Sequence, residues 1–228
     1  MNQKRLITIG VLGFFIGLLI WISWPGGKRS SSSTPTQAEV QSKSVIDLLL
    51  SPEIQAKIEE YQIQSGDTLT QIAKRYSTTV ELLKQTNKLD RDVIHVGKKL
   101  KVVLGKFDVL VDKSQNVLSL RLDEKVIKSY LVSTGEKNST PIGKFALVNK
   151  LESPTWYKAG VVVPPGSPEN ILGTRWLGLS ISGYGIHGTV EPEKIGAQVT
   201  AGCIRMRNQD VEELYALLPI GTPVTIED

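Results

Sequence analysis

The stretch FDVLVDKSQNVLSLRLDEKVIKSYLVS, residues 107–133, decides the fold of the C-terminal half of this 228-residue chain. Apolar and polar residues alternate over 107–112 and again over 117–122, and residues 126–133 are rich in β-branched and aromatic side chains. Such a period of two is typical of strands with one buried face. Asp123-Glu124 is placed as a hairpin turn between the second and third runs. The stretch therefore predicts three consecutive β-strands.

The remainder of the C-terminal half also has mainly β patterns. Only residues 208–218 show a convincing helix, with Val211, Leu214, Tyr215 and Leu218 on one face. We therefore predict an all-β sandwich or barrel with one late helix. Further strands are predicted at residues 144–149, 177–181 and 223–226.

A smaller unit precedes this domain, over residues 61–104. A short strand at 62–64 leads into the turn Ser65-Gly66-Asp67, and Thr68 is placed to cap a helix. A second helical pattern follows, and residues 99–103 form a closing strand. The pattern predicts a βααβ unit.

Residues 6–24 are a run without a formal charge. As a helix the run would extend roughly 28 Å, close to a bilayer core of about 30 Å. Lys4 and Arg5 precede it, and Trp21 and Trp24 near its end suit a membrane interface. An uncleaved single-pass anchor with the C-terminal part outside the cytoplasm is predicted, and a cleavable signal peptide is the alternative.

Composition divides the rest of the chain. Residues 25–44 are rich in small and polar residues, which predicts a flexible spacer. In residues 45–61 the apolar side chains recur at helical spacing, interrupted at Ser51-Pro52, which predicts two short helices or one bent helix. Residues 61–104 hold eight basic and four acidic side chains, so the net charge of +4 sits there and favours an anionic partner. The predicted segments are a basic N-terminus 1–5, an anchor 6–24, a linker with short helices 25–60, a βααβ unit 61–104 and a C-terminal domain 105–228.

The only cysteine, Cys203, and one of only two histidines, His187, both stand beside glycines. A thiol becomes a nucleophile at neutral pH when an imidazole takes its proton, and neighbouring glycines let a substrate backbone approach. An unpaired thiol in an exported protein also needs an explanation. The pair predicts cysteine acyl transfer, and the alternative is that Cys203 is a small buried apolar residue.

Several features of residues 61–104 occur together. They are Tyr61-Gln62-Ile63-Gln64-Ser65-Gly66-Asp67-Thr68-Leu69, Ile72-Ala73, Leu82, Asn87 and His95-Val96-Gly97-Lys98-Lys99-Leu100. Together they resemble a LysM module. The resemblance implies binding of glycans that contain N-acetylglucosamine, such as peptidoglycan, beside Gly66, Asp67 and Thr68. Within such a module, Leu69, Ile72 and Leu82 are expected in the core.

The C-terminal half contains a second set of motifs. They are Ser133-Thr134-Gly135, Thr140-Pro141-Ile142-Gly143, Gly173-Thr174-Arg175-Trp176-Leu177-Gly178-Leu179, His187-Gly188-Thr189 and Gly202-Cys203-Ile204-Arg205-Met206. They resemble the L,D-transpeptidase catalytic domain, also called YkuD-like, over nearly all of residues 106–227. The resemblance implies that a cysteine attacks the L-to-D bond of a peptidoglycan tetrapeptide stem, releases D-alanine and passes the acyl group to an amine.

The resemblance implies a role for each residue near the pair. Cys203 is the expected nucleophile and His187 the general base. Backbone amides around Gly202-Cys203 are expected to stabilise the oxyanion, and a backbone carbonyl such as that of Gly188 to orient the imidazole.

Four further side chains are expected near the substrate. Arg205 stands two residues after Cys203 and is suited to hold a stem carboxylate or carbonyls of the catalytic loop, with a structural ion pair as the alternative. Thr200 is expected to form hydrogen bonds near the site. Tyr184 and Trp176 are expected to line the cleft, and the alternative for Trp176 is a position in the hydrophobic core.

No metal and no cofactor are expected, because the two histidines lie in different predicted domains and zinc takes about three protein ligands. The predicted partners are peptidoglycan stem peptides and glycan strands, the membrane through residues 6–24, and carbapenem-type inhibitors, but not nucleic acid. The predicted location is the cell membrane, with the catalytic domain facing the cell wall. Two alternatives to transpeptidation stay open: an L,D-carboxypeptidase with water as acceptor, and a non-catalytic wall-binding protein.

Overall fold

The computed structural model of the protein describes residues 43–158 and 160–228. The predicted transmembrane span, residues 6–24, lies outside these ranges, as does most of the predicted spacer. Within the described ranges, no helix is both long enough and apolar enough to cross a membrane.

Helix α1 (Val45–Leu49) precedes the first strand. The Ser44 hydroxyl caps it by accepting a hydrogen bond from the Asp47 backbone N–H at 3.2 Å. The prediction that further helix follows at Ser51-Pro52 is wrong, because the next residues form turns. Gln55 then adopts a φ of 51°, a left-handed conformation that cannot continue a right-handed helix.

The βααβ module, which we define as residues 58–103, has the predicted order of elements. Its strands β1 (Ile58–Gln62) and β2 (Lys99–Val103) pair antiparallel, with Ile58 opposite Val103. Strand β1 begins four residues before the predicted 62–64, because its pairing with β2 extends back to Ile58.

Two helices connect the strands of the βααβ module. They are α2 (Leu69–Arg75) and α3 (Val80–Asn87). Thr68 caps α2 as predicted, and it forms a reciprocal capping box with Gln71. Thr79 caps α3 through its side chain.

The C-terminal domain contains twelve strands and the helix α4 among its described residues. The strands are β3 (Phe107–Asp112), β4 (Val117–Leu122), β5 (Lys125–Leu131), β6 (Thr134–Gly135), β7 (Gly143–Glu152), β8 (Trp156–Lys158), β9 (Val161–Val163), β10 (Arg175–Leu179), β11 (Gly185–His187), β12 (Gln198–Thr200), β13 (Ile204–Arg205) and β14 (Pro223–Glu227), with α4 (Asn208–Leu217) before the last strand. Short 3-10 turns lie at Glu136–Asn138 and Pro192–Lys194.

Eight of these strands form one sheet in the order β13-β11-β10-β7-β14-β3-β4-β5. The pairs β11–β13 and β3–β14 are parallel, and the other neighbours are antiparallel. Strands β6 and β12 form a separate parallel pair, and β8 and β9 form an antiparallel one. A mainly β domain with one late helix is confirmed. Of the predicted sandwich or barrel, the structure shows a half-barrel: the main sheet ends at β13 and β5, and Ser133, two residues after β5, returns to β13 through an antiparallel bridge to Arg205.

Helix α4 packs against strands β10 and β11. Its buried Val211 and Leu214 belong to the same core cluster as Leu177, Ile186 and Ile204 of three neighbouring strands. Because side chains alternate along a strand, residues 176, 187 and 205 of the same strands point to the opposite face of the sheet. That opposite face carries the site described below.

The predicted place of Leu82 in the core of the βααβ module is wrong. Leu82 is buried in the large core cluster of the C-terminal domain, whereas its neighbour Leu83 belongs to the cluster of the module itself. The Thr79 hydroxyl, one turn earlier, donates a hydrogen bond to the Ala216 carbonyl in α4. Helix α3 therefore contributes side chains to two hydrophobic cores. The spacing of its apolar residues does not show which face of the helix packs in which core.

Candidate active site

The register of three neighbouring strands brings together the residues that the sequence singles out. Trp176 on β10 lies opposite His187 on β11, and His187 lies beside Arg205 on β13. Cys203 lies in the bend that directly precedes β13, two residues before Arg205. All four residues line one cavity of about 650 Å³, together with Thr200.

His187 is buried, and its surroundings favour the neutral imidazole. Its side chain is 3% exposed, and its Nδ1 lies 2.7 Å from the Gly188 carbonyl oxygen. Because a carbonyl only accepts, Nδ1 carries the proton and Nε2 keeps a free lone pair. Burial lowers the pKa of His187 to about 4; the bond to Gly188 opposes this shift, and the charge of Arg205 adds to it.

The Trp176 indole lies beside the His187 imidazole, with ring centroids 6.0 Å apart and planes inclined by 17°. Its Nε1 donates a hydrogen bond to Asn149 Oδ1 at 3.1 Å. Gly185 makes room for this ring, since a Cβ at that position would come within 2.6 Å of it. Trp176 therefore lines the cavity and also covers one side of the imidazole.

Asn208 fixes the loop after His187. Its Oδ1 accepts hydrogen bonds from the backbone N–H groups of Thr189 at 3.0 Å and Thr174 at 3.2 Å. A Cβ on Gly188 would lie only 2.1 Å from this oxygen, so only glycine fits there. Asn208 was not among the residues predicted for the site; the available signal in the sequence was a polar residue at the start of the predicted helix.

The Cys203 thiol is partly exposed. Its Sγ donates a weak hydrogen bond to the Gly183 carbonyl at 3.7 Å. Burial raises the pKa of the thiol, and this outweighs the lowering effects of a hydrogen bond from the Gly185 backbone and of the charge of Arg205. Thiol and imidazole are thus both neutral near pH 7, and the thiol needs a base to react.

The turn that carries Cys203 is held by Thr200. The Thr200 hydroxyl accepts a hydrogen bond from the Gly202 N–H at 3.1 Å and donates one to the Cys203 carbonyl at 2.7 Å. Gly202 has a φ of 133°, and a Cβ there would lie 2.7 Å from Cε1 of Tyr184. Tyr184 therefore packs against Gly202 and is not among the residues that line the cavity.

Arg205 forms the ion pair that was the alternative from the sequence. Its side chain is 6% exposed, and one terminal nitrogen lies 3.3 Å from Glu191 Oε2, which forms an ion pair. Its Nε is buried and has no hydrogen-bond partner among the described residues. Arg205 also lines the cavity.

The loop predicted to bind glycan is tied to its own module. Asp67 Oδ2 accepts hydrogen bonds from the Tyr61 hydroxyl at 2.6 Å and from the Gln64 backbone N–H at 2.8 Å, and these bonds lower the pKa of Asp67. Thr68 is occupied as the cap of α2. Gly66 has a φ of 88° and open space around its Cα, so the loop leaves a surface that a ligand can reach.

Across residues 43–158 and 160–228, no group of three or more histidine, cysteine and acidic side chains is arranged to hold a metal ion.

Comparisons with known proteins agree with the two resemblances. Residues 106–226 match the YkuD L,D-transpeptidase catalytic domain, and residues 61–103 match the LysM domain. The YkuD protein of Bacillus subtilis strain 168, named as an L,D-transpeptidase, is 35% identical over 174 residues, which cover 73% of this chain and 97% of that protein. YqjB of the same strain, also so named, is 43% identical over 126 residues, 53% of this chain and 70% of its own length.

Among solved structures, an L,D-transpeptidase from Mycobacterium smegmatis aligns with 59% of this chain and 65% of its own, at 19% identity and a TM-score of 0.46. The family match covers more than half of the chain, and the relative YkuD is matched over nearly its full length. The chain belongs to the YkuD family of L,D-transpeptidases and carries a LysM domain ahead of the catalytic domain.

Proposed function

We propose that this protein is a peptidoglycan L,D-transpeptidase in which Cys203 is the nucleophile and His187 the general base. The observation that carries the proposal is the hydrogen bond between His187 Nδ1 and the Gly188 carbonyl. It fixes the tautomer that leaves Nε2 able to accept a proton, in the same cavity as the only thiol of the chain.

In the first step, the Cys203 sulfur bonds to the carbonyl carbon that precedes D-alanine in the stem, while His187 Nε2 takes the thiol proton. The resulting tetrahedral oxyanion collapses, and the bond to the D-alanine nitrogen breaks. His187 returns the proton to the departing amine, so D-alanine leaves neutral at its nitrogen and a thioester remains on Cys203.

In the second step, an amine of another stem attacks the thioester carbonyl. The amine proton passes to His187 and then to the departing sulfur, which restores the thiol and completes a new amide bond. The imidazole is unprotonated above about pH 4, so its Nε2 is available as a proton acceptor in both steps, although its lowered pKa makes it a weaker base than a free imidazole.

The oxyanion of both steps needs a hydrogen-bond donor already in place. The Gly202 N–H is occupied by Thr200, which makes the Cys203 N–H the better candidate of the two neighbouring amides. Arg205 lines the same cavity, and its guanidinium can pair with a carboxylate, which supports a role in holding a carboxylate or carbonyl of the stem.

The LysM domain supports a cell-wall substrate, and we propose that it binds the glycan strands from which the stems branch. The open surface around Gly66 favours this loop as the contact. Membrane anchoring through residues 6–24 is also a proposal, supported by the uncharged run, the basic residues before it and the tryptophans near its end.

The test is incubation of the full-length protein with a disaccharide-tetrapeptide, followed by mass spectrometry of the products. Wild type is expected to release D-alanine and form cross-linked dimers, whereas Cys203→Ala and His187→Asn are inactive. His95→Asn, which replaces the other histidine, on the exposed surface of the βααβ module, is the matched control and keeps activity. Trimmed tripeptides without dimers would indicate a carboxypeptidase, and no release of D-alanine would contradict catalysis.

A further inference from the structure

We propose that Thr140 is a positioning residue for the oxyanion donor, and that its hydroxyl orients and polarises the peptide group whose N–H belongs to Cys203. This inference rests on the proposed function, because it concerns the same acyl transfer. Thr140 is not among the residues that line the cavity, so its proposed role in the acyl transfer is indirect.

The Thr140 hydroxyl sits in the middle of a chain of hydrogen bonds. It donates to the Gly202 carbonyl at 2.8 Å and accepts from the Gly135 backbone N–H at 2.7 Å. The Thr140 side chain is 1% exposed, and both bonds are buried. Without this hydroxyl, the Gly202 carbonyl and the Gly135 N–H would both be buried without a hydrogen bond, so the position requires a side chain with a hydroxyl group.

The geometry of a peptide group carries the effect to Cys203. The carbonyl of Gly202 and the N–H of Cys203 belong to one planar trans peptide and point in opposite directions. Because Thr140 holds the carbonyl from the buried side, the N–H of Cys203 is directed away from Thr140. A hydrogen bond at the carbonyl end also polarises the peptide and strengthens the N–H as a donor.

The support beneath this peptide is tightly packed. A Cβ at Gly135 would lie 2.9 Å from the Gly202 Cα and 2.7 Å from the Thr140 backbone nitrogen, so these backbones are in direct contact. Gly135 also pairs with Thr200 in the parallel ladder of β6 and β12. The peptide therefore has little freedom to turn, because Thr140 holds its carbonyl and Thr200 holds the peptides on both sides of it.

The experiment compares two reactions of Cys203 in the full-length protein. Acylation by the tetrapeptide passes through an oxyanion, whereas alkylation by iodoacetamide forms the carbon–sulfur bond by displacing iodide and has none. Thr140→Val removes the hydroxyl, and Thr140→Ser keeps it. Thr134→Val is the matched control, since Thr134 is a buried threonine of the same segment whose hydroxyl bonds Asn116 instead.

We expect Thr140→Val to lower kcat for D-alanine release by about 10-fold to 100-fold, less than the loss of a whole oxyanion donor, with KM nearly unchanged. Its alkylation rate should stay within about twofold of wild type, and Thr140→Ser should recover most of kcat. Thr134→Val, with a comparable loss of thermal stability, should keep its kcat.

Several results would overturn the inference. They are a kcat of Thr140→Val equal to that of Thr134→Val, an equal slowing of acylation and alkylation, or a failure of Thr140→Ser to recover activity. If wild type itself alkylates but releases no D-alanine, the proposed function fails first and the role of Thr140 with it.

Discussion

His187 and Trp176 lie opposite each other on neighbouring strands, with nearly parallel rings whose centroids are 6.0 Å apart. The indole shields one side of an imidazole whose Nδ1 already bonds the Gly188 carbonyl. Burial is the main cause of the low pKa of His187. We therefore expect the tryptophan to contribute to the burial that keeps the imidazole neutral, in addition to lining the cavity.

Replacing Trp176 by alanine should raise the pKa of His187 from about 4 toward its ordinary value of about 6.5, because water then reaches the ring. NMR titration of the imidazole Hε1 signals measures this directly, and the only other histidine, His95, serves as an internal reference. Trp176→Phe, which keeps an aromatic ring, should shift the pKa less. An unchanged titration in Trp176→Ala would mean that other residues bury the imidazole.

Alkylation of Cys203 by iodoacetamide should accelerate with pH up to values above the ordinary thiol pKa of about 8.5, because burial raises the pKa of this thiol. Intact mass reports the reaction without ambiguity, since the chain has one cysteine. Arg205→Gln should slow alkylation near pH 8, because the charge of Arg205 lowers this pKa. A rate that is already at its plateau at pH 6 would instead indicate a preformed thiolate and imidazolium.

Much of the C-terminal domain follows from sequence patterns. The alternation over 107–122 predicts β3 and β4, and the periodic apolar face after Asn208 predicts α4. The strands β11 and β13 were missed because each has only two or three residues and is buried, so it has no alternation to detect. Their register nevertheless determines which side chains meet in the cavity.

The candidate site also contains residues that the sequence predicts and residues that only the structure reveals. Cys203 and His187 stand out because their residue types are rare in this chain and carry chemistry. Asn208 and Thr140 act through backbone groups of residues distant in sequence, such as Thr174 and Gly202. Hydrogen bonds of this kind leave no local pattern, and only the folded structure makes them visible.

Stability should depend on pH through His187. Its pKa is about 4 in the folded protein and about 6.5 when unfolded, so between these values the unfolded chain binds more protons and the free energy of unfolding falls as pH falls. From pH 7 to pH 4.5 the loss attributable to this residue is about 2 kcal/mol. Urea unfolding at both pH values should show this extra loss in wild type relative to His187→Asn. Equal losses in the two proteins would contradict the buried neutral state.

Asn208→Ala should destabilise the protein by about 1–3 kcal/mol, because two backbone N–H groups lose their acceptor, and should slow D-alanine release as the Gly188 loop loosens. Asn208→Asp keeps an acceptor oxygen in the same place and should restore most of the stability. Thermal unfolding and product release measured on both variants separate the two effects. Full activity of Asn208→Ala would show that Gly188 holds the imidazole without this support.

The two leucines of α3 offer a test of how the LysM domain joins the catalytic domain. Leu82 packs in the core of the C-terminal domain and Leu83 in that of the βααβ module, although they are neighbours in sequence and equally buried at 1% exposure. Replacement of either by alanine should cost about 2–5 kcal/mol. Hydrogen exchange should then show faster opening of α4 amides in Leu82→Ala, and of α2 and β2 amides in Leu83→Ala. If both variants loosen only the βααβ module, Leu82 does not couple the two cores, and the bond from Thr79 to Ala216 is insufficient to hold them together.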